Sequence, residues 1–166
     1  IDRQALVVLW PSISEDLYPD KTMTERKEIY ALISVIFLFS YAFGQSIFGK
    51  IFDKVGTRIG FVLSIGFWSI STALHALANG VLSFSIFRSL LGISEAGNWP
   101  GAAKGNAEWF PASERAFAQG LFNSGAAIGG IVAIPTIAYL TVHFSWQMIF
   151  VIIGAIGLLW LIPWLF

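Results

Sequence analysis

The chain has 166 residues, of which 56% are hydrophobic and 12% are charged, about half the charged share of ~25% in an average soluble domain. Ten Lys and Arg balance ten Asp and Glu, and the zero net charge removes the electrostatic basis for binding nucleic acid. The absence of cysteine excludes a thiolate nucleophile, and two histidines are too few for a zinc site, so we expect no metal. This composition is typical of a protein embedded in membrane lipid.

The first two predicted membrane helices lie on either side of a polar loop. A bilayer core of about 30 Å requires about 20 apolar residues per helix. The opening residues Ile1 to Leu9 are apolar apart from two charges, and we interpret them as the second half of a truncated helix 1. The charge-free run Ile29 to Gly49 is helix 2. The loop between these two helices is predicted to be Ser12 to Lys27.

Four more helices follow from the remaining charge-free runs. Ile59 to Phe87 is too long for one crossing and is broken at Ala78-Asn79-Gly80, which divides it between helices 3 and 4. Ala116 to Phe166 holds no Asp, Glu, Lys or Arg and has room for helices 5 and 6, with a turn at His143 to Trp146. The sequence therefore predicts an all-α bundle of six transmembrane helices that forms one domain over residues 1–166.

The distribution of positive charge predicts how the bundle is oriented. Cytoplasmic loops of membrane proteins collect Lys and Arg. The side with the 2–3 and 4–5 connections carries five such residues and the opposite side carries three, all in one loop: Lys50, Lys54, Arg58, Lys104 and Arg115 against Lys21, Arg26 and Lys27. We therefore expect both ends of the bundle to lie in the cytoplasm.

Four ionisable residues fall inside predicted membrane helices, namely Asp2, Arg3, Arg88 and Glu95. Such a charge costs about 2.5–3.5 kcal/mol on insertion scales, which favours a role in a substrate or proton pathway. Burial and a nearby guanidinium act oppositely on a carboxylate, so a small movement of the partner makes it take up or release a proton. Arginine suits the carboxylate of an organic anion. The alternative is a buried ion pair that serves only helix packing.

The connection between helices 2 and 3 has a charged, glycine-containing pattern, G-x-x-x-D-[RK]-x-G-x-[RK], formed by Gly49, Asp53, Lys54, Gly56 and Arg58. Two glycines allow a tight turn, and we expect Asp53 to accept a hydrogen bond from Arg58 or to lie at a helix N-terminus. By composition alone this segment is an ordinary charged turn.

Small residues and histidines carry further expectations. Glycines recur every four residues on helix 4 and on helix 5, and this spacing is typical of close helix packing: Gly97, Gly101 and Gly105, then Gly125 and Gly129. Pro100 lies inside helix 4, where it removes a backbone donor and is expected to kink the helix. His75 and His143 fall at turns, and we expect both to be exposed.

The chain resembles the N-terminal half of a major facilitator superfamily transporter, and within it the anion:cation symporter family of hexuronate and other sugar-acid carriers. The matching motifs span essentially the whole chain: Asp2-Arg3, Gly49 to Arg58, Arg88 to Ala96, Glu108 to Pro111, Glu114-Arg115, and Phe122 to Ser124. The resemblance implies a twelve-helix fold with substrate held at mid-membrane between two halves, of which the C-terminal six-helix half lies outside this chain.

The resemblance also implies roles for individual residues. Arg3 is expected to contact the substrate carboxylate, with Tyr41, Gln45 and Asn123 as polar substrate-binding positions; Asp2 and Glu95 are the expected protonatable pair, and Arg88 the partner of Glu95. From helix periodicity alone, Tyr41 is equally well a buried aromatic and Gln45 a helix–helix hydrogen bond. Ala126 stands where galactonate-type carriers place a glutamine, which favours the hexuronate group.

The sequence thus predicts a proton-coupled symporter of a hexuronate or related sugar acid, with no cofactor other than the coupling proton. Its partners are a small organic anion and membrane lipid, and the resemblance favours a bacterial inner membrane. The alternatives are a carrier of another organic carboxylate and a non-transporting sensor of the same fold. An intramembrane serine protease is disfavoured, since the chain lacks a Gly-x-Ser-x-Gly motif and both histidines are predicted at turns.

Overall fold

The computed structural model describes residues 2–166, and within them every regular element is a helix. Three stretches are long and apolar enough to cross a membrane, at residues 23–77, Arg115–His143 and Trp146–Leu165. The all-α membrane class is therefore confirmed. The elements are α1 (Asp2–Leu17), α2 (Met23–Leu74), a 3-10 turn (His75–Leu77), α3 (Val81–Glu95), α4 (Asn98–Trp109), α5 (Arg115–His143) and α6 (Trp146–Leu165).

The 52 residues of α2 form two antiparallel helices that meet at Gly56. Gly56 has φ +79°, a value that side-chain-bearing residues rarely adopt, and it is the residue with positive φ in the described chain. The chain then folds back, because Phe52 packs against Phe61 with ring centroids 5.2 Å apart. Predicted helices 2 and 3 are thus both present. We call the end of the bundle that contains Gly56 the kink end, and the opposite end the loop end.

The first helix is longer than the sequence predicted. α1 continues to Leu17 and α2 begins at Met23, so the predicted loop Ser12 to Lys27 is reduced to residues 18–22. The helix continues because Ile13 is fully buried and Asp16 accepts a 2.9 Å hydrogen bond from Trp146 Nε1. A capping box starts α2: Thr22 Oγ1 accepts from the amide of Glu25, whose carboxylate accepts from the amide of Thr22.

Predicted helix 4 is divided into α3 and α4 at Ala96 and Gly97. Pro100 has no N–H to donate to the carbonyl four residues before it, so one hydrogen bond of a continuous helix is missing at this point. The hydroxyl of Ser64 donates a 2.6 Å hydrogen bond to the carbonyl of Ser94 beside this break. The expected kink is a short break in the regular helix at Ala96 and Gly97, whose backbone angles stay in the right-handed helical region, and Glu95 is the last residue of α3.

Glycines bring α3 close to the first half of α2. A methyl group on Gly92 would lie 2.6 Å from the carbonyl oxygen of Phe37, and one on Gly44 would lie 2.6 Å from that of Ile93. Only glycine allows this approach. It places the ionisable residues of α3 directly against residues 37–45 of α2.

The glycine stripes predicted from the sequence have different outcomes. In the first stripe, a methyl group added to Gly97 would lie 2.5 Å from Ser64, and one added to Gly101 would lie 2.5 Å from Phe52. A methyl group added to Gly105 would lie 3.4 Å from Thr57. This stripe therefore packs against α2 as predicted. On α5, Gly125 and Gly129 meet nothing within 4 Å among the described residues. Residues 2–166 therefore supply no packing partner for the α5 stripe.

Candidate functional site

The centre of the candidate site is an ion pair between α1 and α3. Arg3 Nε donates a 2.6 Å hydrogen bond to Glu95 Oε1, and the two side chains are 46% and 16% exposed. The Arg3 guanidinium lies 4.4 Å from the ring centroid of Tyr41 on α2. Glu95 Oε2 is buried and has no hydrogen-bond partner in the part of the chain that the structure describes. The Glu95 end of the ion pair is therefore buried in the protein, whereas the Arg3 end is partly exposed.

Arg88 is more deeply buried than Arg3, and it does not form the expected ion pair with Glu95. It is 3% exposed, and its Nε and Nη2 atoms have no hydrogen-bond partner among residues 2–166. The expected pairing of Arg88 with Glu95 is not what the structure has, since Glu95 pairs with Arg3. Arg88 and Glu95 are seven positions apart, which corresponds to about 10 Å along a helix. Helix α1 instead brings Arg3 next to Glu95.

An aromatic ring connects the two arginines. Phe37, which is buried one turn before Tyr41 on α2, lies 5.4 Å from the Arg3 guanidinium and 5.8 Å from that of Arg88. The rings of Phe37 and Tyr41 are stacked with centroids 5.9 Å apart. A cation over an aromatic face gains about 0.5–2 kcal/mol, and this partly offsets the cost of removing the guanidinium from water.

Asp2 is held by the other half of α2. The hydroxyl of Thr72 donates a 3.0 Å hydrogen bond to Asp2 Oδ1. Asp2 and Arg3 are adjacent in sequence, so α1 places one carboxylate towards residues 57–74 and the guanidinium towards α3. The structure thus brings Asp2, Arg3, Arg88 and Glu95 into one cluster between α1, α2 and α3.

The other predicted substrate-binding residues are less closely grouped. Tyr41 is half-buried with its hydroxyl unpartnered, and Gln45 is exposed one turn further along α2. Asn123 on α5 accepts a 3.2 Å hydrogen bond from Gln119, which in turn accepts a 2.7 Å hydrogen bond from Asn106 on α4. Asn123 therefore belongs to a polar chain between α4 and α5, and its contacts do not include the Arg3–Glu95 pair.

The predicted gating loop is centred on Gly56, and its ion pair differs from the expected one. Asp53 pairs with Lys104 of α4 at 3.1 Å, and not with Arg58. Lys104 Nζ also donates a 2.9 Å hydrogen bond to the carbonyl of Phe52. Gly49 lies inside the helix with open space around it, so Gly56 alone makes the turn. The backbone reversal moves Asp53 and Arg58 onto different helices, which separates them.

Arg58 and Thr57 connect the kink end to other helices. The Arg58 guanidinium donates to the carbonyl of Leu165 at the end of α6, and Trp164 Nε1 donates a 3.1 Å hydrogen bond to the carbonyl of Arg58. The hydroxyl of Thr57 donates to Glu108 of α4. Lys54 is exposed. These contacts tie the ends of α4 and α6 to the two residues after Gly56.

A separate apolar cavity of about 670 Å³ lies between residues 57–74, α4, α5 and α6. Aromatic side chains form much of its wall, including Phe61, Trp68 and Phe122. Of the seven predicted substrate and proton residues, Asp2 is the one that lines it. The ion pair of Arg3 and Glu95 lies outside this cavity, on the face formed by α1, α3 and the first half of α2.

One of the two histidine predictions is wrong. His75 is fully buried, with its Nδ1 2.7 Å from the carbonyl of Ser71 and its ring stacked on Phe150. The turn that contains it is folded against α6, which covers the ring. His143 at the end of α5 is exposed as expected.

Several contact residues were not identified from the sequence. Thr72 and Phe37 hold the charged cluster, while Lys104 and Gln119 hold the gating loop and Asn123. A sequence signal existed for Phe37, since it precedes Tyr41 by four residues and so lies on the same helix face. Thr72 is one of many hydroxyls in apolar helices, and its position gives no comparable signal.

The chain is similar to known membrane transporters over its full length. The family model described as Major Facilitator Superfamily matches residues 1–166. A galacturonate transporter of Dickeya chrysanthemi is 34% identical over 166 residues, which cover 100% of this chain and 46% of that protein. A hexuronate transporter of Escherichia coli K12 is 32% identical over 165 residues, covering 99% and 37%. A probable sulfoacetate transporter of Cupriavidus necator is 31% identical over 166 residues, covering 100% and 37%.

These matches confirm the family predicted from the motifs. The chain spans less than half of the length of each of these relatives. Their names describe transporters of organic anions and not enzymes.

Proposed function

The chain belongs to the Major Facilitator Superfamily, and we propose that it forms the N-terminal six-helix half of a proton-coupled symporter for a hexuronate or related sugar acid. The observation that carries this proposal is the partly exposed ion pair of Arg3 and Glu95 over the ring of Tyr41. The names of the relatives support sugar acids as the substrate class.

Glu95 and the substrate carboxylate compete for Arg3, and this competition couples substrate binding to protonation of Glu95. The hydrogen bond to Glu95 uses Nε of Arg3, which leaves its two Nη groups for a planar, bidentate carboxylate. When Glu95 takes up a proton, its attraction for Arg3 falls and the guanidinium turns to the substrate. Glu95 is the last residue of α3, where the negative end of the helix dipole disfavours a second negative charge. Protonation therefore favours binding of an organic anion.

Asp2 and Arg88 form the inner part of the same mechanism. Asp2, held by Thr72, is the second protonatable carboxylate, and Arg88 supplies a buried positive charge that balances whichever carboxylate is ionised. An arginine that lacks hydrogen-bond acceptors in the protein interior is costly, and such residues in membrane helices mark proton and ion pathways. Tyr41, Gln45 and Asn123 complete the substrate-binding surface.

Transport follows from rocking of this half against the C-terminal six-helix half around the mid-membrane site. The kink end, with Gly49, Asp53, Lys54, Gly56 and Arg58, acts as the gating segment on the cytoplasmic side. Both ends of the bundle are cytoplasmic, and the membrane is the bacterial inner membrane. The substrate is a small organic anion, the coupling ion is the proton, and the remaining partner is membrane lipid.

A second candidate substrate class is a different organic anion. It is favoured by the 31% identity to a probable sulfoacetate transporter, because a guanidinium recognises a sulfonate as well as a carboxylate.

Uptake by proteoliposomes that contain the full-length protein tests the proposal. Radiolabelled glucuronate uptake is measured with and without an inward proton gradient for the wild type, Glu95→Gln, and Glu15→Gln as an exposed control carboxylate. We expect Glu95→Gln to lose gradient-driven uptake and to retain substrate exchange, while Glu15→Gln behaves as the wild type. Uptake that ignores both the gradient and the Glu95 substitution contradicts proton coupling. Sulfoacetate transport without glucuronate transport favours the second substrate class.

A further inference from the structure

A buried histidine in the 3-10 turn has an unused acceptor atom. His75 packs among Phe150, Phe84 and Phe87, with ring centroids 5.0, 5.7 and 5.9 Å away. Its Nδ1 is 2.7 Å from the carbonyl of Ser71, and a carbonyl only accepts, so Nδ1 is assigned the proton. Nε2 is then an acceptor, and it is buried with no hydrogen-bond partner within the described residues 2–166.

Arg88 offers unused donors in the same region. It lies one turn beyond Phe84 on the same face of α3, and Phe84 contacts the His75 ring edge-on. Arg88 Nε and Nη2 are buried with no acceptor, and the arginine lies within electrostatic range of His75. Buried polar groups are nearly always hydrogen-bonded. The unpartnered acceptor of His75 and the unpartnered donors of Arg88 are chemically complementary.

The charged and titratable groups around Arg88 come from four elements. Glu95 lies further along α3 towards the kink end, and Asp2 lies on α1. Tyr30 approaches from the first half of α2, and His75 from the turn after its second half. Glu95 also has an unpartnered atom, Oε2. Arg88 therefore stands between two acceptors in opposite directions, Glu95 towards the kink end and His75 towards the loop end.

We propose that His75 is a positioning residue for Arg88. While Glu95 is ionised, its charge draws the Arg88 guanidinium towards the kink end. When Glu95 is protonated, that attraction is lost, and Arg88 donates to Nε2 of His75, directly or through one buried water. The neutral imidazole thus stabilises the protonated state of the coupling site without itself taking up a proton. This inference rests on the proposed role of Glu95.

The pH dependence of uptake tests this role. Removing the acceptor leaves Arg88 without a partner when Glu95 is protonated, so protonation is disfavoured. One hydrogen bond of about 1.4 kcal/mol corresponds to one pH unit. We therefore expect His75→Phe, which keeps an aromatic ring against Phe150, to shift the midpoint of glucuronate uptake about one unit towards acid. His75→Gln, which places an amide oxygen near Nε2, is expected to keep the wild-type midpoint.

Phe150→Leu is the matched control, since it loosens the packing around His75 and keeps the acceptor. If His75 serves packing only, His75→Phe retains the wild-type midpoint, and uptake is impaired in Phe150→Leu and His75→Gln. That pattern overturns the inference. A wild type with no proton-driven uptake refutes the proposed function instead, so the two failures are distinguishable.

A spectroscopic measurement covers the case in which His75→Phe does not fold. The ¹⁵N shift of His75 Nε2, assigned by difference with His75→Gln, is followed against pH in the full-length protein. It is expected to change with pH in the wild type and to stay constant in Glu95→Gln, which mimics the protonated carboxyl. A shift that titrates equally in both proteins contradicts the coupling of His75 to Glu95.

Discussion

Replacing Gly92 by alanine tests the close approach of α3 to α2 on which the candidate site depends. The added methyl carbon would lie 2.6 Å from the carbonyl oxygen of Phe37, 3.0 Å from Ser40 Cβ and 3.1 Å from the amide of Tyr41. Ordinary contact begins at 3.4 Å, and 3.4 less 2.6 leaves 0.8 Å by which the helices must separate. Two of the three contacts are with backbone atoms, so no side-chain rotation relieves them.

The expected loss of stability is about 1–3 kcal/mol, which is typical of overpacking in a filled core. The entropy of unfolding grows with chain length, so each kcal/mol lowers the thermal midpoint of the detergent-solubilised full-length protein by about 1–2 °C, and the expected fall is roughly 1–6 °C. Gly66→Ala is the matched control, because its methyl would lie 3.9 Å from Leu161, an ordinary contact, and alanine favours the helix by about 1 kcal/mol. Equal midpoints for the two variants, measured by fluorescence-detected size exclusion, would refute the reasoning.

Three further predictions concern hydrogen bonds. Ser64→Ala removes the donor at the break between α3 and α4 and should cost about 1–3 kcal/mol, whereas Ser69→Ala removes a buried hydroxyl without a partner and should be close to neutral. Thermal midpoints that fall equally contradict this. Thr22→Ala should cost about 1 kcal/mol and speed amide hydrogen exchange in the first turn of α2; unchanged exchange argues against the capping box. Asp53→Asn should change stability by less than about 1 kcal/mol because Asp53 is 77% exposed, while Lys104→Met should cost more, since it also leaves a carbonyl without its donor. Similar melting of the two variants contradicts the last prediction.

The membrane class and the candidate residues could be predicted because each depends on a large, local energy. A long run without charge is stable in lipid wherever it lies in the fold, so the charge-free runs located the helices. A charge inside such a run is costly in any packing, and this cost identified Asp2, Arg3, Arg88 and Glu95 before any contact was known. The pattern around Gly56 was predicted to turn, and its positive φ agrees.

The pairing of these charges could not be predicted in the same way. The family resemblance implied Arg88 as the partner of Glu95, but the structure pairs Glu95 with Arg3 of α1. The glycine contacts of α3 with α2 and the position of α1 decide which guanidinium reaches the carboxylate. Asp53 likewise pairs with Lys104 and not with the expected Arg58, because the chain reversal at Gly56 places Arg58 on another helix.

Burial of small and polar residues also depended on neighbours distant in sequence. Glycine stripes with the same four-residue spacing pack on α4 and stay open on α5, and the spacing alone does not distinguish them. His75 lies in a turn after an apolar helix, a position at which a polar residue is expected to be exposed. It is buried instead, because α6 covers its ring. The free-energy cost of placing a charged or polar group in lipid can be predicted from the local sequence. The partner that offsets this cost depends on which helices meet in the tertiary structure.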